Sequence, residues 1–125
     1  MRVVEATPED IDSWLHLAGE VEHLFGPMVD QPEFHRALLR NLARSTALCI
    51  RVAGGPPGTP LLGGLLLSPH QPRYVISWLA VTANFRNQGI GKELIREALR
   101  RFVSYPCTLE VEAFGLDHPG ARSRH

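Results

Sequence analysis

The stretch Trp78-Leu79-Ala80-Val81-Thr82-Ala83-Asn84-Phe85-Arg86-Asn87-Gln88-Gly89-Ile90-Gly91-Lys92 decides how the rest of the chain is read. It completes an apolar, β-rich run from Tyr74 to Val81. A short turn follows, then Arg-x-x-Gly-x-Gly, then a long amphipathic segment. This is a strand feeding a glycine-rich turn that opens a helix. The first N–H groups of a helix have no intrahelical acceptor and lie at the positive end of its dipole. Glycines at 89 and 91 keep side chains away, so a phosphate can approach the backbone closely. Arg86 and Lys92 add positive charge. The pattern predicts a pyrophosphate-binding turn over residues 86–92.

Two common phosphate motifs are excluded. A P-loop requires Gly-x-x-x-x-Gly-Lys-Ser/Thr. Here Glu93 follows Gly91-Lys92, and Arg86 stands where the first glycine would be. A dinucleotide fingerprint requires a third glycine at 94, which is Leu94. What remains, Val81-(x)4-Arg86-x-x-Gly89-x-Gly91, resembles the coenzyme A signature of the GNAT (Gcn5-related) N-acetyltransferase superfamily. The competing reading is an ordinary strand–turn–helix with a glycine-rich cap.

At 125 residues the chain has the length of one domain with one core. Acidic and basic residues balance at 13 each, which gives no support to a nucleic-acid or membrane surface. Cys49 and Cys107 both sit in apolar, strand-like runs without a partner pattern. They read as buried thiols in a reducing compartment. Met1 leads directly into a strand rather than a signal peptide, and no apolar run approaches the ~18 residues of a transmembrane helix. A cytoplasmic protein is expected.

Arg2–Ala6 reads as a strand. Thr7-Pro8-Glu9-Asp10 starts a helix, with Thr7 as N-cap, Pro8 in the first turn and acids behind it. Ile11, Trp14, Leu15, Ala18 and Val21 form its buried stripe, and both Trp14 and Trp78 read as core. A second helix is expected from Pro32 to Ala43, with Phe34, Ala37, Leu38 and Leu42 on one face. Strands follow at Thr46–Val52, Leu61–Ser68 and Arg73–Val81. The turn Gly54–Pro60 separates the first two, and Pro69-His70-Gln71-Pro72 the last two. The third helix spans Gly89–Val103. Its charged face, with Glu97 and Arg101 paired at i,i+4, reads as solvated. Thr108–Phe114 alternates as a fifth strand.

The order is β-α-α-β-β-β-α-β. A helix of about fifteen residues can cross between two parallel strands, and the three strands before it are joined by short turns and run antiparallel. The fold class is α/β, a mixed sheet with helices on both faces. This order matches the GNAT fold from its first strand through its fifth. The resemblance implies a further helix, often opening with Ala-x-x-Phe-Tyr and carrying a general-acid Tyr, and two more strands. The sequence ends near where that helix would begin. Residues 1–125 are therefore expected to form a single GNAT-like domain that is C-terminally truncated. Its open sheet edge would favour a homodimer.

The resemblance also implies the chemistry. A bulge in the fourth strand would splay it from the fifth. Leu79, Ala80 and Val81 would run beside pantetheine, with Leu79 and Val81 pairing to it. Arg86, Asn87, Gln88, Gly89, Ile90, Gly91 and Lys92 would wrap the pyrophosphate. Acetyl-CoA is the implied co-substrate. Glu110, in Leu109-Glu110-Val111, resembles the general base of ribosomal-protein N-terminal acetyltransferases. Glu112 lies two residues on, about 7 Å away on the same face, and each carboxylate would raise the other's pKa. The opposing reading makes both solvated strand residues. Glu22 and His23 rank lower as bases. His16, His23, His35, His70, His118 and His125 show no metal-ligand spacing, so no metal is expected. The expected activity is acetyl transfer to an amine of a small molecule or peptide. A non-catalytic acyl-CoA-binding module is the alternative.

Overall fold

In the computed structural model, residues 2–70, 73–102 and 108–111 are described. The elements run in the expected order: β1 (Val3–Glu5), α1 (Ile11–Phe25), α2 (Pro32–Arg44), β2 (Ala47–Arg51), β3 (Leu61–His70), β4 (Arg73–Val81), α3 (Ile90–Phe102) and β5 (Thr108–Val111). They form one five-stranded sheet whose strand order follows chain order. β1 to β4 pair antiparallel, and β5 joins β4 in parallel after the α3 crossover. No helix among the described residues is long and apolar enough to cross a membrane.

Two apolar layers sandwich the sheet. On one side, Trp14, Leu17, Ala18 and Val21 of α1 and Leu38 of α2 pack with Cys49, Leu66, Trp78 and Ala80. On the other, Ile90, Leu94 and Ala98 of α3 pack with Ile50, Leu65, Leu67, Ile76, Leu79 and Val81. The adjacent glycines of β3 serve one layer each. A Cβ on Gly64 would lie 2.8 Å from the Trp14 ring, and one on Gly63 2.9 Å from Ile90 Cγ2. Neither gap is wide enough for a methyl group, so both helices approach the sheet over glycine.

A bulge in β4 lets it serve both layers. The β3–β4 register passes from Leu66↔Trp78 to Leu67↔Ile76, leaving Ser77 as the extra residue. Strict alternation would put Ile76 and Trp78 on one face. With Ser77 inserted, Ile76 joins the α3 layer and Trp78 the α1 layer. β5 pairs with β4 over Arg73–Ile76, before the bulge.

Several boundaries differ from the sequence reading. Pro69 and His70 continue β3, paired with Tyr74 and Arg73, instead of forming a turn. β2 accompanies β3 only to Leu66, so beyond Leu67 a residue without an N–H is tolerated. Pro8–Asp10 forms a 3-10 turn before α1 proper. On α1, Leu17 is fully buried while Leu15 is only partly so. Residues 112–114 of the expected fifth strand, and Cys107, lie outside the described residues.

Asp10, read from sequence as a first-turn acid, is instead fully buried against Arg51. Arg51 Nε donates to Oδ1 at 3.0 Å and Nη2 to Oδ2 at 2.7 Å. The Thr7 and Gly58 N–H groups complete the set at 2.8 and 3.0 Å. This joins the start of α1 to β2 and to the loop before β3. Burial pushes the Asp10 carboxyl up, but the Arg51 hydrogen bonds, the two N–H groups and the guanidinium charge hold it below its ordinary value of 3.8. Burial, reinforced by the Asp10 charge, pushes the Cys49 thiol up to about 12, so it stays protonated and inert.

Asp10→Asn strands a buried guanidinium and should cost about 3–5 kcal/mol of unfolding free energy in urea titrations. Because the folded value is depressed, the wild-type pair contributes fully above pH 3.8 and its contribution is lost as pH falls through the lower folded value. The variant should lack that part of the acid limb. Equal stability with an identical acid limb would contradict this account of the pair.

Candidate functional site

The candidate site begins where β4 ends. A 3-10 turn over Ala83–Phe85 follows Thr82, and the chain then enters α3 through Arg86–Gly89. Asn87 (φ 67°) and Gly89 (φ 83°) both take left-handed conformations, which glycine adopts freely and asparagine tolerates. A Cβ on Gly89 would meet no atom within 4 Å. The space above the turn is therefore open. Val81, Phe85, Arg86, Asn87, Gly89, Ile90, Gly91 and Lys92 line a cleft of about 480 Å³ there.

The turn presents donors without acceptors. The Glu93 N–H closes the first helical turn onto the Gly89 C=O at 2.9 Å. The N–H groups of Asn87 to Lys92 have no backbone or side-chain acceptor among the described residues. Arg86 is split in role. Its Nε donates to the Val81 C=O at 3.1 Å and so latches the base of the turn. Its Nη2 is buried and has no partner among the described residues. A buried cationic donor without an acceptor is costly unless a ligand supplies one. Lys92 is exposed at the rim. Glu93, the acid of the first helical turn, is neutralised by Arg96 at 2.6 Å. The cleft thus keeps a positive balance of side chains and dipole.

Most of the sequence-predicted turn residues come together. Arg86, Asn87, Gly89, Ile90, Gly91 and Lys92 all line the cleft, whereas the Gln88 side chain turns back toward the Asn84 C=O. Leu79 and Ala80 have buried side chains in opposite layers, so only their backbone is available to a ligand. The edge each uses follows from alternation. The Thr82 N–H donates to the Leu62 C=O, so Ala80 shares the β3 edge and Leu79 and Val81 turn their backbone groups to the other. That edge has β5 beside it only as far as Ile76 among the described residues. The Val81 C=O is taken by Arg86, while Leu79 and the Val81 N–H have no partner on that edge among the described residues.

The catalytic candidates fare differently. The Glu110 backbone pairs with Val75, just before the bulge. Glu112 lies outside the described residues. Glu22 accepts the N–H groups of Met28 and Val29, both at 2.8 Å. These bonds hold its carboxyl below the ordinary value. It clamps the loop after α1 and is poorly suited to accept a proton. The expected Glu97–Arg101 pair forms at 2.6 Å and Arg100 joins it, so the carboxyl falls to about 2. Among the described residues no group of three or more His, Cys, Asp or Glu gathers as a metal site would require. The sequence reading missed Phe85 as a cleft wall and Glu20 as a partner of Thr82. An aromatic residue beside Arg86 was the only local sign of the first, and the second joins residues far apart in the chain.

The profile of the Acetyltransferase (GNAT) family matches residues 10–122, and the chain belongs to that family. Solved structures share its fold. The aminoglycoside antibiotic 6'-N-acetyltransferase AAC(6')-Ig from Acinetobacter haemolyticus superposes with a TM-score of 0.66 at 18% identity, covering 100% of this chain and 87% of that one. A GNAT family acetyltransferase from Brucella melitensis, solved with acetyl-CoA, gives 0.59 at 18% identity over 80% of this chain and 66% of that one. The PaiA N-acetyltransferase from Thermoplasma acidophilum, solved with coenzyme A, gives 0.57 at 16% identity over 79% and 69%. No curated protein sequence matches significantly.

Proposed function

We propose that the chain binds acetyl-CoA, with its pyrophosphate on the 86–92 turn, and transfers the acetyl group to an amine of a small molecule or peptide. The observation that carries this reading is the run of N–H groups from Asn87 to Lys92 which, like the buried Arg86 Nη2, have no acceptor among the described residues. A pyrophosphate supplies several anionic oxygens to such an array. The coenzyme-bound structures of the Brucella and Thermoplasma proteins support the choice of ligand. The pantetheine arm would lie along the edge of Leu79 and Val81 that faces away from β3.

In the reaction the amine nitrogen attacks the thioester carbonyl carbon. The C–N bond forms, the C–S bond breaks, and the amine proton passes to a base while the departing thiolate takes up a proton. The β4 N–H groups on that edge would stabilise the developing oxyanion. Glu110 is our candidate for the base.

Gly91→Val places a branched side chain on the first turn of α3 without a positive φ to strain. Calorimetry should show loss of CoA binding with the helical circular dichroism retained. Unchanged affinity would overturn the turn assignment. Glu110→Gln keeps the shape and removes the basicity. Steady-state kinetics should show kcat lower by roughly 10²–10⁴-fold with acetyl-CoA binding nearly intact, and a wild-type kcat and pH profile would remove Glu110 from the mechanism.

A further inference from the structure

Thr82 is where β4 ends and the turn begins, and three contacts meet there. Its N–H donates to the Leu62 C=O at 2.8 Å, and its C=O accepts from the Phe85 N–H at 3.0 Å. Its hydroxyl donates to the Glu20 carboxylate, 2.7 Å from Oε1 and 3.0 Å from Oε2. Glu20 stands on α1, so the contact spans 62 residues of sequence. It is the one side-chain hydrogen bond between α1 and residues 82–92 among the described residues. Glu20 is half-buried, and no cation among the described residues lies within ion-pair distance of it.

A carboxylate in this position works against the turn electrostatically. It lowers the local potential and opposes an anionic ligand. Its one described bond points to a mechanical role. α1 is itself a firm anchor. Trp14, Leu17, Ala18 and Val21 bury it against the sheet, and Glu22 fixes the loop at its end. Thr82 therefore takes its direction from a rigid element on the opposite face of the sheet from α3.

We propose that Glu20 is a positioning residue for coenzyme A binding, acting through Thr82. By fixing how the chain leaves β4, it holds the N–H groups of residues 87–92 in their binding arrangement before the ligand arrives. Ordering that turn on binding would otherwise weaken affinity. The proposal rests on the reading that this turn holds coenzyme A.

The test is calorimetry with CoA and steady-state kinetics with acetyl-CoA on Glu20→Ala, Glu20→Gln, Thr82→Val and the Glu20→Ala/Thr82→Val double variant. Glu20→Ala and Thr82→Val should each weaken CoA binding by roughly tenfold. The KM for acetyl-CoA should rise in parallel, with kcat within about twofold of wild type. The double variant should be no weaker than either single one, because both remove the same bond. Glu20→Gln keeps an acceptor oxygen and should recover most of the affinity. If Glu20 acted only as a nearby charge, Glu20→Ala and Glu20→Gln would both tighten binding. Unchanged or tighter binding in Glu20→Ala, or additive losses in the double variant, would overturn the proposal. Loss of binding in Gly91→Val with wild-type affinity in Glu20→Ala would remove only the positioning role. A wild-type protein that does not bind CoA would remove the functional reading as well.

Discussion

The fold turns on one extra residue in β4. This strand must contribute to the α3 layer through Ile76, Leu79 and Val81 and to the α1 layer through Trp78 and Ala80. Strict alternation cannot do both. Inserting Ser77 shifts the phase by one residue. Bulges also sharpen local twist. Beyond the bulge, Leu79 and Val81 turn their backbone groups to the edge away from β3. That edge leads directly into the glycine turn. The packing of both layers follows from that one backbone irregularity.

The turn is a set of donors held from behind. Arg86 Nε on the Val81 C=O closes its base, Thr82 on Leu62 and Glu20 fixes its start, and the α3 layer carries its far end through Ile90 and Leu94. Gly63 in β3 allows that last contact, since any side chain there would push Ile90 away. Preorganisation of this kind matters most for a backbone site. An N–H group cannot swing toward a ligand as a lysine can, so the scaffold must hold it in place.

Much of the architecture was legible in the sequence. The proline at each early helix start, the amphipathic face of α3 and the glycines of the turn fixed element type and order, because each rests on local chemistry. The cleft-lining residues from Arg86 to Lys92 were legible for the same reason. The bulge at Ser77 was not, since Tyr74–Val81 is apolar on both faces and carries no phase to break. Pro69-His70 read as a turn because its proline content outweighed a hairpin register that only β4 reveals. Asp10 and Glu22 read as a helix-start acid and a weak base candidate. Their partners, Arg51 and the Met28 and Val29 N–H groups, are set by tertiary folding.

The claim that the backbone of residues 87–92 receives the pyrophosphate is tested most directly by amide chemical shifts. In an ¹H–¹⁵N titration with coenzyme A, the amides from Asn87 to Lys92 should move downfield together and saturate with the same affinity as the rest of the spectrum. Adenosine 3',5'-bisphosphate, which lacks the pantetheine arm and keeps a 5'-phosphate, should shift the same amides and leave Leu79 unmoved. If coenzyme A binds while the amides from Asn87 to Lys92 stay in place, the site lies elsewhere and the account is wrong.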